Sequence, residues 1–228
     1  GLIPKDSSQG CAACGSAEFT PLFMATDRLY RTTGKQFRIV ECRRCRLIRL
    51  HPQPPAHELR QYYPEQYWFD PAEQGADRLQ EAYRRFVVRD HVRFVRRALA
   101  SSGGQGAVLD VGCGGGLFLS ELARTGHPVV GLDFSIDAAG IAWRRKGVPA
   151  VCASLARAPF APGACSAVTM FHVLEHLYEP PAYLEAAREL LRPDGRLVIQ
   201  VPNASSWQFL LLGENWSGLD VPRHLFSF

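Results

Sequence analysis

A run of apolar residues that ends in consecutive glycines constrains this chain more than any other feature. Residues 107–111 form a short apolar segment, a turn with glycines from Gly112 to Gly116 and Cys113 among them follows, and a helical pattern begins at Leu117. Glycine tolerates positive φ and lets the backbone approach a ligand closely. A strand that enters a helix through such a turn is typical of a β-α-β unit. The segment therefore predicts a parallel sheet with ligands bound at the carboxyl ends of its strands.

The rest of the chain continues this alternation. Apolar segments typical of buried strands lie at 107–111, 129–132, 150–152, 167–171 and 197–201. Helical patterns lie at 78–100, 117–125, 138–146 and 181–191. Such alternation predicts an α/β fold with a doubly wound, mostly parallel sheet that helices cover on both faces.

Two acidic residues lie at the ends of the first two predicted strands. Asp110 precedes the first glycine by two residues, and Asp133 ends the next strand. The turn lacks the third glycine of a dinucleotide site, since Leu117 stands there, and it lacks the lysine of a phosphate-binding P-loop. A carboxylate at Asp110 suits an ammonium group, and one at Asp133 can accept hydrogen bonds from both ribose hydroxyls. These features indicate S-adenosylmethionine, with helix caps and a tight turn as the structural alternative.

In these residues the sequence resembles the class I S-adenosylmethionine-dependent methyltransferases, from the glycine turn through the fifth predicted strand. Further motifs typical of that family lie at 158–162, 171–176 and 191–197. The resemblance implies that Asp110 and the glycine turn line the methionine moiety, that Asp133 holds the ribose and that Phe134 flanks the adenine. The cofactor-binding residues expected on this basis are Asp110, Gly112, Cys113, Gly114, Gly116, Asp133, Phe134, Ser154, Leu155 and Phe171.

The chain departs from the family pattern at three points. Ser154 stands where an acidic residue commonly receives the adenine amino group, and Ser166 stands where an aspartate is usual. A serine oxygen accepts a hydrogen bond more weakly than a carboxylate does. The family sheet normally finishes with two more strands, so in a chain that stops at Phe228 we expect these C-terminal strands to be missing.

Four cysteines form two matching pairs near the N-terminus. Two residues separate Cys11 from Cys14 and Cys42 from Cys45, and 27 residues lie between the pairs. Two such turns supply four thiolates for tetrahedral zinc, and four protein ligands make the site structural rather than catalytic. Residues 37–41 alternate like the return strand of a zinc ribbon. Two disulfides or a redox pair are the alternatives.

The two ends of the chain resemble one group within the family. The cysteine ribbon followed by residues 62–67 is similar to the N-terminus of bacterial zinc-ribbon methyltransferases, and residues 220–225 are similar to a C-terminal motif of the same group. These enzymes are often associated with sugar, surface-polysaccharide or secondary-metabolite pathways. The resemblance therefore implies a small-molecule methyl acceptor of one of these classes.

Three histidines are candidates for the general base that a hydroxyl or carbon acid acceptor requires. His176 follows the fourth predicted strand, His172 lies slightly before it, and His224 belongs to the C-terminal motif. We rank them in the order His176, His224, His172. A hydrogen-bonded structural histidine is the alternative for each of them.

Two other functions stay open on the sequence alone. An RNA-modifying methyltransferase would bind RNA through the segment from Arg28 to Arg49, which is rich in lysine and arginine. The net charge of +4 is small for that role, and the Asn/Asp-Pro-Pro-Phe/Tyr motif of enzymes that methylate base amines does not follow the fourth strand. We therefore favour a small-molecule partner over a nucleic acid. A non-catalytic zinc-ribbon scaffold is the second alternative, supported by Ser154, Ser166 and the short C-terminus.

The predicted organisation has three parts. They are a zinc ribbon at 1–55, a connector and helix at 56–100, and a C-terminally incomplete S-adenosylmethionine-binding domain at 101–228. Within them, the proline- and aromatic-rich segment 52–75 predicts irregular structure. No apolar run of about 18 residues and no signal-peptide pattern appears, so we expect no membrane association. An odd number of cysteines without an export signal favours the cytoplasm, and the oligomeric state stays open.

Overall fold

The computed structural model of the chain describes residues 10–64, 78–101 and 106–228. The chain divides into two compact units. The first combines residues within Gly1–Tyr67, His172–Pro181 and Gln200–Phe228, and the second combines residues within Trp68–Phe171 and Ala182–Ile199. Two segments that the sequence assigns to the C-terminal domain, 172–181 and 200–228, thus cluster with the N-terminal segment.

An antiparallel sheet organises the first unit. Its strands are β1 (Phe19–Ala25), β2 (Phe37–Cys42), β3 (Ile48–Leu50) and a two-residue strand near the end of the chain, β9 (Phe226–Ser227), in the order β1-β2-β3-β9. Phe226 pairs with Arg49, and Ser227 pairs with Ile48. The return strand predicted at 37–41 is confirmed, because β2 pairs antiparallel with β1 and β3. Its alternation of buried and exposed side chains breaks at Val40, which is buried like Ile39.

The core of the first unit is built from distant parts of the sequence. Its buried side chains are Ala25, Phe37, Ile39, Ile48, Leu50, Leu59, Tyr62, Trp216, Leu219, Val221, Leu225 and Phe226. Burying one large apolar side chain contributes about 1.5–3 kcal/mol. The C-terminal segment that contains Trp216 and Phe226 therefore stabilises the same unit as the N-terminal strands.

Short helices connect the strands of the first unit. Helix α1 (Ala56–Leu59) continues into a 3₁₀ turn at Arg60–Tyr62, and a further helix spans Trp207–Leu212. The irregular structure predicted at 52–75 is wrong at 56–62, because the side chains of Leu59 and Tyr62 are buried in the core and hold the turn in place. The part of that prediction from residue 65 onward lies outside the described residues.

A five-stranded sheet organises the second unit. Its strands are β4 (Ala107–Val111), β5 (Val129–Asp133), β6 (Ala150–Cys152), β7 (Cys165–Phe171) and β8 (Leu191–Gln200), in the order β6-β5-β4-β7-β8. β4 pairs in parallel with β5 and β7, and β5 pairs in parallel with β6. This arrangement confirms the predicted doubly wound sheet. The strand order reverses at β4, and in such sheets ligands bind at the carboxyl ends of the strands beside that point.

Four helices accompany this sheet. They are α2 (Arg78–Ala100), α3 (Leu117–Ala123), α4 (Ile136–Lys146) and α5 (Pro180–Leu190). The two ends of α4 are set by capping residues. The Ser135 side chain accepts a hydrogen bond from the backbone N–H of Ala138, and Gly147 ends the helix with a φ of 67°.

The largest difference from the predicted strand boundaries lies at the start of β8. β8 begins at Leu191 and not at residue 197, and α5 ends at Leu190. Pro193 explains the early change, because proline interrupts a helix and favours an extended conformation in the residue before it. Within the described ranges, no helix combines the length and the apolar character that crossing a bilayer requires.

Candidate functional site

The glycine turn between β4 and α3 has the geometry of a ligand-binding loop. Gly112, Gly114 and Gly116 have φ values of 72°, 51° and 77°, which glycine adopts without a side-chain penalty. The backbone N–H groups of Gly112 and Cys113 donate hydrogen bonds of 2.7 and 3.1 Å to the carbonyl oxygen of Leu132. The turn is therefore held against the end of β5 by its own backbone.

The glycines differ in what surrounds them. A Cβ added at Gly116 would lie 2.9 Å from the Cβ of Ala142, so this glycine allows α3 to pack closely on α4. A Cβ at Gly131 would lie 2.5 Å from Sγ of Cys113, a buried thiol that fills the space beside β5. A Cβ at Gly114 would meet no atom within 4 Å. The open side of Gly114 is therefore the part of the turn that a ligand can approach.

Asp133 joins the glycine turn to the end of β5. Its Oδ2 accepts a hydrogen bond from the backbone N–H of Gly114 at 2.9 Å, and its Oδ1 accepts one from the backbone N–H of Ser135 at 2.8 Å. These bonds are the contacts expected if Asp133 served only to cap a helix and to hold a tight turn. Each carboxylate oxygen also has a second lone pair. Asp133 can therefore hold the turn and still accept hydrogen bonds from two hydroxyl groups.

Asp110 is a buried carboxyl group at the carboxyl end of β4. Its Oδ1 accepts a hydrogen bond of 2.5 Å from the hydroxyl of Thr169 on β7. Burial raises the pKa of Asp110 to about 7, the charge of Asp133 adds to the rise, and the bond from Thr169 opposes it. A cation beside a buried carboxyl group favours its ionised form. The environment of Asp110 therefore suits a positively charged group.

Replacing Asp110 with asparagine is expected to remove a pH dependence of stability. Because the pKa of Asp110 is raised above its unfolded value, the folded protein binds more protons between about pH 4 and pH 7, and its stability falls as pH rises through that window. Without ligand, Asp110→Asn should exceed the parent in stability at pH 8 by roughly 2–4 kcal/mol and match it near pH 4. Urea unfolding at both pH values measures this, with the exposed Asp137→Asn as control. If the free energies of unfolding of Asp110→Asn and the parent differed by the same amount at both pH values, the raised pKa of Asp110 would be contradicted.

The residues expected near the adenine follow β5 and β6. Phe134 comes directly after Asp133 and is 62% exposed, and an exposed ring can pack against a planar base. Ser154 precedes the 3₁₀ turn Leu155–Arg157 and makes no side-chain cap bond to it. The side chain of Leu155 is buried. Phe134 and Ser154 therefore remain available to a ligand.

Phe171 lies in an aromatic cluster at the end of β7. Its ring stacks on His91 of α2 at a centroid distance of 4.1 Å and meets the edge of Phe118 at 5.0 Å. The sequence alone does not indicate that His91 lies beside Phe171. The helical periodicity of α2 alone does not distinguish it from the arginines around it.

S-adenosylmethionine fits the groups that these residues offer. The open side of Gly114 can admit a ligand, and the buried carboxyl of Asp110 suits its ammonium group. Asp133 has acceptor capacity for the ribose hydroxyls, and Phe134 presents an exposed ring to the adenine. The assignment of the individual cofactor-binding residues stays a prediction.

The four N-terminal cysteines lie close together in the first unit. The Sγ atoms of Cys11 and Cys45 are 3.4 Å apart, and those of Cys14 and Cys42 are 3.5 Å apart. All four Sγ atoms lie within 4.8 Å of one another. Tetrahedral zinc with Zn–S bonds of about 2.3 Å places its sulfurs about 3.8 Å apart. The four thiols can therefore hold a structural zinc ion.

The two cysteine turns have the same backbone geometry. The N–H of Gly15 donates to the carbonyl of Cys11 at 2.8 Å, and the N–H of Arg46 donates to the carbonyl of Cys42 at 2.9 Å. Gly15 and Arg46 both have positive φ, 74° and 68°. The backbone N–H of Cys45 is the largest cause that lowers the pKa of Cys42 to about 6. Matching turns that bring four free thiols together favour zinc over disulfides.

Two of the three predicted histidines lie together in the first unit. The ring centroids of His176 and His224 are 4.6 Å apart. His176 Nδ1 lies 3.1 Å from the carbonyl oxygen of Arg223 and 3.0 Å from the hydroxyl of Tyr63. Burial, together with the charge of His224, lowers the pKa of His176 to about 4. His176 is therefore neutral near pH 7, as a proton acceptor must be.

His172 has a different partner. Its Nδ1 lies 3.3 Å from Oε1 of Glu175, and its side chain is half exposed. Glu175 is buried, and the sequence alone does not indicate it as a site residue. The role of His176, His224 and His172 as general base stays a prediction.

Residues 77–228 match a family described as a methyltransferase domain. The ubiquinone biosynthesis O-methyltransferase of Paraburkholderia xenovorans (strain LB400) is 33% identical over 124 residues, which cover 51% of this chain and 53% of that protein. The enzyme of the same name from Methylococcus capsulatus (strain ATCC 33009 / NCIMB 11132 / Bath) is 31% identical over 140 residues, which cover 58% and 59%. The chain thus spans between about half and three fifths of the length of these two relatives.

Solved structures show a similar partial match. A SAM-dependent methyltransferase from Archaeoglobus fulgidus is 22% identical with a TM-score of 0.46, over 59% of this chain and 63% of that one. The PH0226 protein from Pyrococcus horikoshii OT3 is 22% identical with a TM-score of 0.46, over 60% and 65%. The family match spans more than half of the chain, and this protein therefore belongs to the methyltransferase domain family.

Proposed function

We propose that this chain carries the catalytic domain of an S-adenosylmethionine-dependent methyltransferase that acts on a small-molecule acceptor. One observation carries the proposal: the glycine turn after β4 begins two residues after Asp110, is hydrogen-bonded to Asp133, and is open at Gly114. A sulfonium cofactor brings an already activated methyl group. The protein then needs mainly to position the two reactants and to exclude water.

Each residue of the turn has a part in this proposal. Asp110 pairs with the ammonium group of the cofactor, Asp133 accepts hydrogen bonds from the ribose hydroxyls, and Phe134 packs against the adenine. An adjacent cation lowers the pKa of a carboxyl group. Binding of the ammonium group should therefore release the proton that Asp110 retains near pH 7.

We propose that the acceptor atom is the oxygen of a hydroxyl group. The curated relatives are named O-methyltransferases of ubiquinone biosynthesis, which supports an oxygen acceptor on a small molecule. The resemblance of the chain ends favours a sugar, a polysaccharide precursor or a secondary metabolite. A hydroxyl acceptor requires a general base, and His176, His224 and His172 remain the candidates in that order.

Calorimetric titration with S-adenosylhomocysteine tests cofactor binding. The parent protein should bind, and Asp133→Ala should bind roughly 10–100-fold more weakly, because a hydrogen bond to a charged group contributes about 1.5–3 kcal/mol. Asp137→Ala is the matched control, since Asp137 is an exposed acid in the first turn of α4. It should bind like the parent. Far-UV circular dichroism checks that all three proteins are folded.

Two outcomes would contradict the proposal. A folded parent that binds no S-adenosylhomocysteine would favour the non-catalytic scaffold. Binding of RNA that weakens steeply with salt, together with cofactor binding, would favour the RNA-modifying enzyme.

A further inference from the structure

We propose that Glu175, His176 and His224 form a second metal site, separate from the cysteine cluster, that takes a divalent cation of the zinc class. One ligand atom of each residue, a carboxylate oxygen or a ring nitrogen, lies within 4.8 Å of the other two. Two imidazoles and one carboxylate are a ligand set that zinc uses where a fourth coordination position stays open. The inference does not rest on methyl transfer, since it requires no cofactor.

Hydrogen bonds prepare both imidazoles for coordination. The carbonyl oxygen of Arg223 lies 3.1 Å from His176 Nδ1, and that of Gly218 lies 2.8 Å from His224 Nδ1. A carbonyl oxygen only accepts hydrogen bonds, so in this arrangement each Nδ1 carries the proton and Nε2 is the ring nitrogen that a metal can bind. The hydroxyl oxygen of Tyr63, 3.0 Å from His176 Nδ1, can accept from the same N–H. Metal-bound histidines in proteins show this pattern, with the second ring nitrogen donating to a carbonyl or carboxylate oxygen.

Glu175 supplies a buried negative charge. Its side chain has 0% exposure. Among the described residues, its Oε2 atom has no hydrogen-bond partner, while its Oε1 lies 3.3 Å from His172 Nδ1. A buried carboxylate oxygen without a partner costs free energy. Coordination of a cation by Oε2 would remove that cost.

The carboxylate of Asp220 lies near His224 without a hydrogen bond to its Nε2. Oδ2 of Asp220 lies 3.8 Å from His224 Nε2, which is longer than a hydrogen bond. Oδ1 of Asp220 instead accepts hydrogen bonds from Arg223 at 2.7 and 2.9 Å. Asp220 therefore adds a negative charge beside His224, which favours a cation at this site.

The metal site has a consequence for the predicted general base. A histidine nitrogen that binds a cation cannot take a proton from an acceptor. In the metal-loaded protein the role of general base would therefore pass from His176 and His224 to His172, whose side chain is half exposed.

The metal content of the full chain tests the proposal. After equilibration with excess Zn²⁺ and removal of loosely bound ion, the parent should hold two ions per chain, whereas Glu175→Gln and His224→Gln should each hold one. Titration with Co²⁺ separates the two sites, because thiolate ligands give a charge-transfer absorption that carboxylate and imidazole ligands lack. The variants should keep this absorption. Their affinity for the second Co²⁺ should fall by roughly 100-fold or more. Even the loss of a residue that only hydrogen-bonds to a metal ligand lowers metal affinity by roughly 10–100-fold.

The matched control is His57→Gln, which removes an exposed histidine on α1 and should keep both ions. The thiolate absorption reports in every variant that the cysteine cluster is intact. One ion per chain in the parent, or two ions per chain in both site variants, would overturn the proposal. Neither result bears on the binding of S-adenosylhomocysteine, so the two proposals fail independently.

Discussion

Replacing Cys42 with serine is expected to release the metal of the cysteine cluster and to unfold the antiparallel sheet of the first unit. Cys42 ends β2, has 0% exposure and lies 3.5 Å from Cys14, sulfur to sulfur. Structural zinc contributes about 10–16 kcal/mol in zinc-finger peptides, which is as large as the whole stability of a typical domain, about 5–15 kcal/mol. The apolar core that also supports this sheet is not expected to offset a loss of that size.

Trypsin digestion and metal analysis measure this loss. In the folded sheet Arg49 is buried, and unfolding would expose it to cleavage. The helices of the second unit should persist in far-UV circular dichroism. Cys152→Ser, which changes an exposed cysteine outside the cluster, is the matched control and should resist digestion. If a reductant removed the resistance and a chelator did not, disulfides would replace zinc as the explanation.

Replacing Arg223 with methionine is expected to destabilise the first unit by about 3–5 kcal/mol, the usual cost of removing one partner from a buried ion pair. The guanidinium donates to both carboxylate oxygens of Asp27 at 3.0 and 2.7 Å, and to Oδ1 of Asp220 at 2.9 and 2.7 Å. It also donates to the carbonyl oxygen of Tyr62 at 2.6 Å. The side chains of Arg223 and Asp27 have 0% exposure. Methionine keeps most of the volume but leaves two buried carboxylates without their cation.

Urea unfolding at pH 7 measures the destabilisation. Arg188→Met is the matched control, because Arg188 pairs with Glu185 through a similar two-bond contact on the surface of α5. Solvent screens that exposed pair, so its loss should leave the unfolding midpoint unchanged. Equal shifts in both variants would show that burial does not set the strength of the Arg223 network.

The parallel sheet could be predicted because its signals are local. Residues 107–111 are apolar except for Asp110, glycines follow at once and a helical pattern begins at Leu117, so strand, turn and helix can be recognised within one short segment. β9 could not be predicted in this way. A strand of two residues, Phe226 and Ser227, is too short to show an alternation of apolar and polar side chains. Its pairing with β3 depends on a distant part of the chain.

The residues of the candidate sites also differ in whether a local sequence pattern reveals them. Asp110 and Asp133 belong to a local pattern of strand end and turn. Thr169 was missed because a threonine in a strand is ordinary, and only the neighbouring strand shows that it donates to Asp110. Glu175 was missed because a short polar turn does not reveal that its carboxylate is buried. The hydrogen bond from Thr169 to Asp110 and the burial of Glu175 exist only in the folded chain.

The pairing of β9 with β3 also affects the chain while it is being synthesised. β1, β2 and β3 leave the ribosome before the second unit is made, and domains tend to fold in that order. During that interval β3 has a free edge, and free strand edges promote association between chains. Arg49 lies on this edge, where a charged side chain opposes such association. In the finished protein the same side chain is 2% exposed and donates to the carbonyl oxygen of Gly10, so one arginine is expected to protect the nascent chain first and to join the folded ribbon afterwards.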